Sequence, residues 1–188
     1  ILLVDGAREI IGMGLNKLGY SLNDKNPTHI HQAEKDLHNL APQVRGIVGD
    51  EITMMLQQNE GHVAVVWSGV AAPLVQENTR YNYVIPKEGS NLWFDNMVIP
   101  KTAQNKEGAY KFMNFLLDAQ NSAQNTEWVG YATPNKAARS KLPKEVRNDH
   151  RFYPSKQEQQ RLEVYKDLGQ SSLSDYNESF LNFKMSLK

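Results

Sequence analysis

The chain begins with Ile1-Leu-Leu-Val-Asp-Gly-Ala-Arg-Glu-Ile10, and this stretch decides the fold class. Residues 1–4 are all apolar, which predicts a buried β-strand. Over residues 7–18 the apolar side chains recur on one helical face, and Gly19 is a typical residue just after a helix. A buried strand that leads directly into an amphipathic helix predicts an α/β fold.

Further strands and helices alternate along the rest of the chain. Strands are predicted at residues 44–48, 62–67, 81–85 and 92–99, which are β-branched or bounded by Gly and Pro. Helices are predicted at residues 28–40, 50–58, 106–117, from there to 128, 155–167 and 174–185. This alternation favours a sheet that is covered by helices on both faces.

Composition excludes several classes of protein. Apolar residues make up 40% of the 188 residues, and 21 basic residues balance 21 acidic ones, which argues against disorder and against a nucleic-acid binder. The absence of Cys excludes disulfides and zinc–thiolate sites. Because the chain begins in a strand, with no Met and no signal segment before it, we expect it to be the C-terminal part of a longer protein.

A hydrolase site is one alternative that the sequence leaves open. The segment Val66-Trp-Ser-Gly69 resembles half of the nucleophile elbow Gly-x-Ser-x-Gly, but Val66 stands where the first Gly is required. A polar residue at the end of a strand is therefore the favoured interpretation of Ser68. The alternative hypothesis is a hydrolase that uses Ser68, His62 and Asp95.

A metal-binding module is a second alternative. His31, Glu34 and His38 are spaced so that they share one face of the predicted helix 28–40, and such a face can ligate a metal ion. The segment is strongly polar and lacks a His-Glu-x-x-His pattern. A solvated surface helix is therefore the favoured interpretation.

Aromatic and acidic residues lie at the ends of the predicted elements. They comprise Asp5, Glu9, Trp67, Trp93, Asp95, Tyr131 and Tyr165. Binding sites in α/β sheets form at the carboxyl ends of strands, so we expect Asp5, Glu9 and Trp67 to lie close together. Tyr131 falls in a loop, and Tyr165 falls on the predicted helix 155–167.

Several segments that contain these residues also carry a family resemblance. They are Asp5-Gly-Ala-Arg-Glu9, Val65-Val-Trp-Ser-Gly69, Leu92-Trp-Phe-Asp-Asn-Met-Val-Ile-Pro100, Asn105-Lys-Glu-Gly-Ala109 and Gly130-Tyr-Ala-Thr-Pro-Asn135. With them, the chain resembles the spermidine/putrescine-binding proteins of polyamine ABC importers from end to end. The Trp-x-Asp and Gly-Tyr-x-Thr-Pro-Asn segments are specific in combination.

The resemblance implies an α/β fold of the periplasmic-binding-protein type II, with one nearly complete lobe and a segment of the other. Residues 1–88 and 142–188 would form the second lobe, and residues 91–139 would return to the first lobe, most of which would lie upstream of this chain. The implied function is non-catalytic capture of polyamines between two lobes, outside the cytoplasm, and delivery to the permease of an ABC importer. No cofactor and no nucleic acid is expected, and the membrane would be contacted only through the transporter or a lipid anchor outside this chain.

The resemblance also implies roles for single residues. Trp67 and Trp93 would stack on the ligand, the carboxylate of Asp95 would bind an ammonium group, and the ring of Tyr131 would line the cleft. Glu9 would be a further ligand acid.

Two positions depart from the family pattern. Gly6 stands where the family has an Asp, which leaves Asp5, one residue earlier, as an alternative carboxylate. Tyr165 replaces a family glutamine. Because both changes fall at implied ligand contacts, a receptor for another small cationic or amino-acid-like solute stays open as the alternative function.

Overall fold

Strand β1, Leu2–Val4, is the central strand of a three-stranded parallel sheet with the order β2-β1-β3. Strand β2 is Gly46–Val48 and strand β3 is Ala64–Val65, and Leu3 lies opposite Ile47 in the first pair. All three residues of β1 are buried. Parallel strands that are covered on both faces read as continuous apolar runs, so the predicted buried strand is confirmed.

Helices α1, α2 and α10 pack on one another beside this sheet in the computed structural model, which describes residues 1–187. Helix α1 is Ala7–Lys17, as predicted, and α2 is Pro27–His38. The side chain of Asn26 caps α2 by accepting a hydrogen bond from the Thr28 N–H at 3.0 Å. Helix α10, Gly169–Met185, begins earlier than the sequence predicted.

These elements enclose the main apolar core. Its buried members are Leu3, Val4, Ile10, Ile11, Leu15, Ile30, Ala33, Leu37, Leu168, Tyr176, Phe180 and Phe183. Among these core residues Tyr176 carries a polar side-chain group, and its hydroxyl lies 2.9 Å from the carbonyl oxygen of Asp24 and 3.2 Å from that of Leu22. A buried hydroxyl needs such a partner, so Tyr176 ties α10 to the loop between α1 and α2.

Two compact units divide the chain. Unit 1 comprises residues 1–67, 84–93 and those from 156 onward, and unit 2 comprises residues 68–83 and 94–155. The remaining elements of unit 1 are a 3₁₀ turn at Ala41–Gln43, α3 at Ile52–Gln57, β4 at Ser90–Asn91, α9 at Lys156–Gln159 and β5 at Leu162–Glu163. The two lobes predicted from the sequence refer to the whole protein and stay a prediction.

Unit 2 is helical. Its helices are α4 at Ser68–Glu77, α5 at Lys106–Leu117, α6 at Ala119–Val129, α7 at Lys136–Lys141 and α8 at Lys144–Arg147. A small core of Ala123, Ala138 and Leu142 joins α6 to α7, with Tyr153 packed against it. Helix α5 has no buried residue and exposes large apolar side chains, namely Tyr110, Phe112, Phe115 and Leu117.

Three predicted elements are wrong. The predicted strands at residues 81–85 and 92–99 do not form, because a strand needs a partner strand for its backbone groups and no strand within residues 1–187 pairs with either segment. Residues 155–167 do not form one helix. Leu162 pairs instead with Ser90 across the parallel β4–β5 ribbon, and this long-range pairing overrides the local helical preference.

Every helix within residues 1–187 is too short or too polar to cross a bilayer.

Candidate functional site

Four of the predicted site residues in unit 1 follow strands. Asp5 comes directly after β1 and Trp67 follows β3, and these strands run parallel in one sheet. Trp93 and Tyr165 follow β4 and β5, which are also parallel and pair Asn91 with Glu163. Tyr165 therefore extends from a strand end and not from a helix, which corrects the prediction. Since parallel strands share their carboxyl ends, each pair of side chains leaves its sheet at a common edge.

Glu9 lies in the first turn of α1 and folds back over Gly6. A methyl group placed on Gly6 would lie 2.2 Å from Oε2 of Glu9, so the missing side chain of Gly6 makes room for this carboxylate. The hydroxyl of Tyr165 donates a hydrogen bond to the carboxylate. The amino-terminal turn of a helix favours an acidic side chain, as Glu9 is here.

Tyr165 is largely enclosed, and its hydroxyl stays protonated. Burial raises the pKa of Tyr165 well above its ordinary value, and the neighbouring Glu9 charge raises it further, while the charge of Arg8 lowers it. The protonated phenol is the form that donates to a carboxylate. Tyr165 therefore keeps its donating form over the physiological pH range.

Arg8 is a site residue that the sequence analysis missed. Its guanidinium lies 4.4 Å from the ring centroid of Tyr165 and 5.2 Å from that of Tyr176. It also donates to Oδ1 of Asn23 at 2.9 Å and to the carbonyl oxygen of Leu22 at 3.3 Å. The sequence signal that could have found Arg8 is its place beside Glu9 in the segment Asp5-Gly-Ala-Arg-Glu9. Arg8 holds Tyr165 from the face of the ring.

Asn23 fixes the backbone on both sides of Tyr165. Its Nδ2 donates to the carbonyl oxygen of Val164 at 3.0 Å, and its Oδ1 accepts from the N–H of Lys166 at 2.8 Å. The carboxylate of Glu163 accepts from the hydroxyl of Ser21 and from the N–H of Leu22. The loop after α1 and the segment after β5 are thus joined.

Asp5 has a basic partner within unit 1. Nζ of Lys184 on α10 lies 3.0 Å and 3.1 Å from the two carboxylate oxygens of Asp5. Both side chains are partly exposed, at 37% for Lys184 and 47% for Asp5. Asp5 is already charge-compensated, whereas no ion pair within residues 1–187 involves Glu9. The two neighbouring acids are therefore not equivalent.

Trp67 and Trp93 are both partly buried. Trp67 packs against the main apolar core of unit 1, so part of its ring surface is committed to the fold. An indole that packs partly against a core has a fixed orientation, which a stacking residue requires.

Unit 2 holds the other two predicted residues. Asp95 is exposed, and Tyr131 is partly buried in the loop after α6. The ring of Tyr131 lies directly on Gly69, where a methyl group would approach Cε2 and Cζ of that ring to 2.3 Å. Gly130 ends α6 with a φ of 75°, in the left-handed region that favours glycine, and this turn places Tyr131.

The predicted histidine face of α2 is not a solvated face throughout. Glu34 is buried, and its Oε2 lies 3.3 Å from Nδ1 of His31, which is largely exposed. Nε2 of His38 is buried without a hydrogen-bond partner, and the His38 ring lies 6.2 Å from that of Phe183. No group of three or more His, Asp or Glu residues within 1–187 is arranged to hold a metal ion.

The residues of the hydrolase hypothesis are distributed over both units. His62 belongs to unit 1 and is exposed, whereas Ser68, at the start of α4, and Asp95 belong to unit 2. The hypothesis stays untested.

Comparison with known proteins gives consistent relatives. The spermidine/putrescine-binding periplasmic protein of Escherichia coli K12 is 40% identical over 98% of this chain and 53% of its own length. A putative spermidine/putrescine ABC transporter structure from Listeria monocytogenes is 58% identical, with a TM-score of 0.92 over 98% of this chain and 57% of that chain. The substrate-binding protein PotD of Streptococcus pneumoniae is 45% identical, with a TM-score of 0.88 over 100% of this chain and 58% of that chain.

This chain therefore spans about half the length of the curated relatives it matches, at 53%. The structural likeness confirms the predicted fold class, that of periplasmic binding proteins. Residues 4–153, more than half of the chain, match the family described as bacterial extracellular solute-binding protein, which also confirms the predicted extracytoplasmic location. The chain belongs to the bacterial extracellular solute-binding protein family.

Proposed function

We propose that the whole protein containing this chain captures spermidine or putrescine outside the cytoplasm and delivers it to the permease of an ABC importer. The observation that carries the proposal is the carboxylate of Glu9, which is held between Gly6 and Tyr165 without a basic partner among residues 1–187. The names of the relatives, which are spermidine/putrescine-binding proteins, support the same ligand class.

The proposed contacts suit a slender organic polycation. Its ammonium groups need carboxylates, and its methylenes need aromatic walls. In unit 1 we assign the acid role to Glu9 and the stacking roles to Trp67 and Trp93, and Asp5 contributes less because Lys184 already compensates it. In unit 2 we assign an ammonium contact to Asp95 and a wall to the ring of Tyr131. The assigned groups bind the polyamine and do not change it chemically. The proposed receptor is therefore not an enzyme and needs no cofactor.

Free energies decide how many contacts are required. A hydrogen bond to a charged group contributes about 1.5–3 kcal/mol. An ammonium over an indole adds about 0.5–2 kcal/mol, and each buried methylene adds about 0.8 kcal/mol. Micromolar affinity requires about 8 kcal/mol net of the cost of ordering a flexible ligand. Glu9 with one indole falls short of this, so the proposal needs contacts from the rest of the protein.

Calorimetric titration of the whole protein tests the proposal. Spermidine and putrescine should bind with micromolar or tighter affinity, and mass spectrometry should recover the polyamine unchanged. A thermal-shift screen with amino acids and other small cations tests the alternative ligand class, because a ligand that binds the folded state raises the melting temperature. Stabilisation by an amino acid but not by a polyamine would contradict the proposed ligand.

The exposed apolar side chains of unit 2 support the predicted lobe division. Tyr110, Phe112, Phe115 and Leu117 on α5 are each 58% exposed or more, and Trp128 on α6 is 89% exposed. Such patches normally mark an interface. We propose that residues 91–139 pack, in the whole protein, against the part of the polypeptide that is not in this chain. Hydrogen exchange of α5 should then be slower in the whole protein than in residues 1–188 alone.

A further inference from the structure

We infer that Tyr165 and Gly6 are positioning residues, which hold the Glu9 carboxylate in one orientation for a cationic ligand. The inference rests on the proposed function and deepens it. It adds to that function an account of how the proposed binding acid is kept in place.

The space over Gly6 is open because glycine has no side chain. Oε2 of Glu9 occupies the place where a side chain at Gly6 would begin, because a Cβ there would lie 2.2 Å from Oε2 and 2.9 Å from Cδ. The backbone of Gly6 is extended, with a φ of −154°, which any residue adopts. Glycine therefore suits this position because it has no side chain, and not because of its backbone freedom.

The hydroxyl of Tyr165 is the second group at this carboxylate. It donates a hydrogen bond to the Glu9 carboxylate. Glu9 therefore lies between the backbone of Gly6 on one side and the phenol of Tyr165 on the other. A glutamate has three rotatable bonds, and ordering it in advance removes an entropy cost from ligand binding.

Tyr165 is itself held in place through its ring and its backbone. The guanidinium of Arg8 lies on its ring at 4.4 Å. The side chain of Asn23 bonds to the backbone of the residues on both sides of it, at 3.0 Å and 2.8 Å. Asn23 also accepts from Arg8 at 2.9 Å, so ring and backbone are held by one network. A phenol fixed in this way can orient a flexible carboxylate.

Asp5, in contrast to Glu9, has a basic partner among residues 1–187. Its carboxylate lies 3.0 Å and 3.1 Å from Nζ of Lys184, so it is already engaged by a cation within unit 1. Within unit 1, Glu9 is the acid near β1 without an ion-pair partner in residues 1–187.

The test measures spermidine affinity by calorimetry and stability by thermal unfolding in the whole protein. Tyr165→Phe keeps the ring under Arg8 and removes the hydroxyl, and we expect it to weaken binding about 5- to 10-fold, as the loss of one hydrogen bond would. Gly6→Ala should weaken binding at least as much with little change in stability, because the carboxylate is the flexible end of its side chain and moves aside. Asp5→Asn should cause a smaller loss than Glu9→Gln.

Tyr153→Phe is the matched control. Tyr153 also lies under an arginine, with the Arg139 guanidinium 4.2 Å from its ring centroid, and its hydroxyl accepts from the N–H of Thr133. Its hydroxyl bonds to the Thr133 N–H and not to Glu9, so we expect Tyr153→Phe to lower stability and to have the same effect on affinity whether or not Glu9→Gln is present.

A double-mutant cycle separates positioning from general packing. If Tyr165 acts through Glu9, Tyr165→Phe has no further effect on affinity once Glu9→Gln is present. An equal loss in both backgrounds, or wild-type affinity in Tyr165→Phe and Gly6→Ala, overturns the inference and leaves the proposed function intact. Absence of spermidine and putrescine binding by the unchanged protein overturns the proposed function and the inference with it.

Discussion

The ring of Tyr131 lies directly on the backbone of Gly69, at the start of α4, and a methyl group on Gly69 would approach Cε2 and Cζ of the ring to 2.3 Å. Both residues belong to unit 2, and Gly69 is buried. The contact fixes the height of the Tyr131 ring above the helix, so this glycine positions a proposed binding residue.

Gly69→Ala should destabilise unit 2. Since a rigid ring must move to admit the methyl group, we expect a loss of about 1–3 kcal/mol in the free energy of unfolding. Gly46→Ala is the control, because its nearest neighbour would be Cγ1 of Val48 at an ordinary 3.5 Å. Urea unfolding of both variants checks this. In the Tyr131→Ala background Gly69→Ala should cost little, and an undiminished loss there would show that the ring is not the cause.

Arg8→Lys should lower stability through the loss of planar contacts. A lysine cannot lie flat on Tyr165 while donating to Asn23 and to the carbonyl oxygen of Leu22, as the guanidinium does. We expect a loss of about 1–3 kcal/mol in the free energy of unfolding.

The same substitution at Arg45 provides the control. Arg45 pairs with Glu60 at 2.8 Å on the surface, where an ion pair contributes about 1 kcal/mol at most. Equal losses in the two variants, measured by urea unfolding, would refute a special role for Arg8.

The local part of the fold was predictable, and the long-range part was not. The apolar run of β1 and the helical spacing of α1 carry their own signals, because burial on both sheet faces and a single apolar stripe each leave a periodic pattern. Strands β4 and β5 have no such periodic pattern. They are two residues each, include the polar Ser90, Asn91 and Glu163, and exist because distant segments meet.

The candidate site divides in the same way. The positions of Glu9 in the first turn of α1 and of Trp67 after β3 were predictable from the apolar patterns of the neighbouring strand and helix, while their roles as ligand contacts stay a prediction. The ion pair between Asp5 and Lys184 joins residues 179 positions apart, so no local sequence pattern predicts it. The role of Arg8 was also hidden, since its partners Tyr165 and Tyr176 come from the far end of the chain.

Stability should fall steeply at alkaline pH because of buried tyrosines. Burial raises the pKa of Tyr176 to about 12, from the ordinary value of 10.0, although the Arg8 charge lowers it. Below about pH 10 the phenol is protonated in both states, and its contribution to stability is complete. Between pH 10 and 12 the unfolded state loses the proton first, so the free energy of unfolding falls.

Tyr176→Phe should flatten this dependence. Urea unfolding at pH 8, 10 and 11 should show lower stability at pH 8, from the lost hydrogen bond to the carbonyl oxygen of Asp24, with a shallower decline above pH 10. With residues 1–188 as the protein, the control is Tyr110→Phe, whose ring is 62% exposed there and which should keep the stability and slope of the unchanged chain. An identical slope in all three proteins would contradict the assignment.

The isolated chain should bind spermidine far more weakly than the whole protein. Residues 1–188 carry proposed contacts in two units but span 53% of the relatives' length, so the ligand would gain part of the required contacts while losing its full conformational freedom. Each missing charged hydrogen bond of about 1.5–3 kcal/mol lowers affinity by about 10- to 100-fold. We therefore expect dissociation constants at or above the millimolar range for the chain, measured by calorimetry beside the whole protein. Micromolar binding by residues 1–188 alone would mean that Glu9 and its neighbours already form a sufficient site.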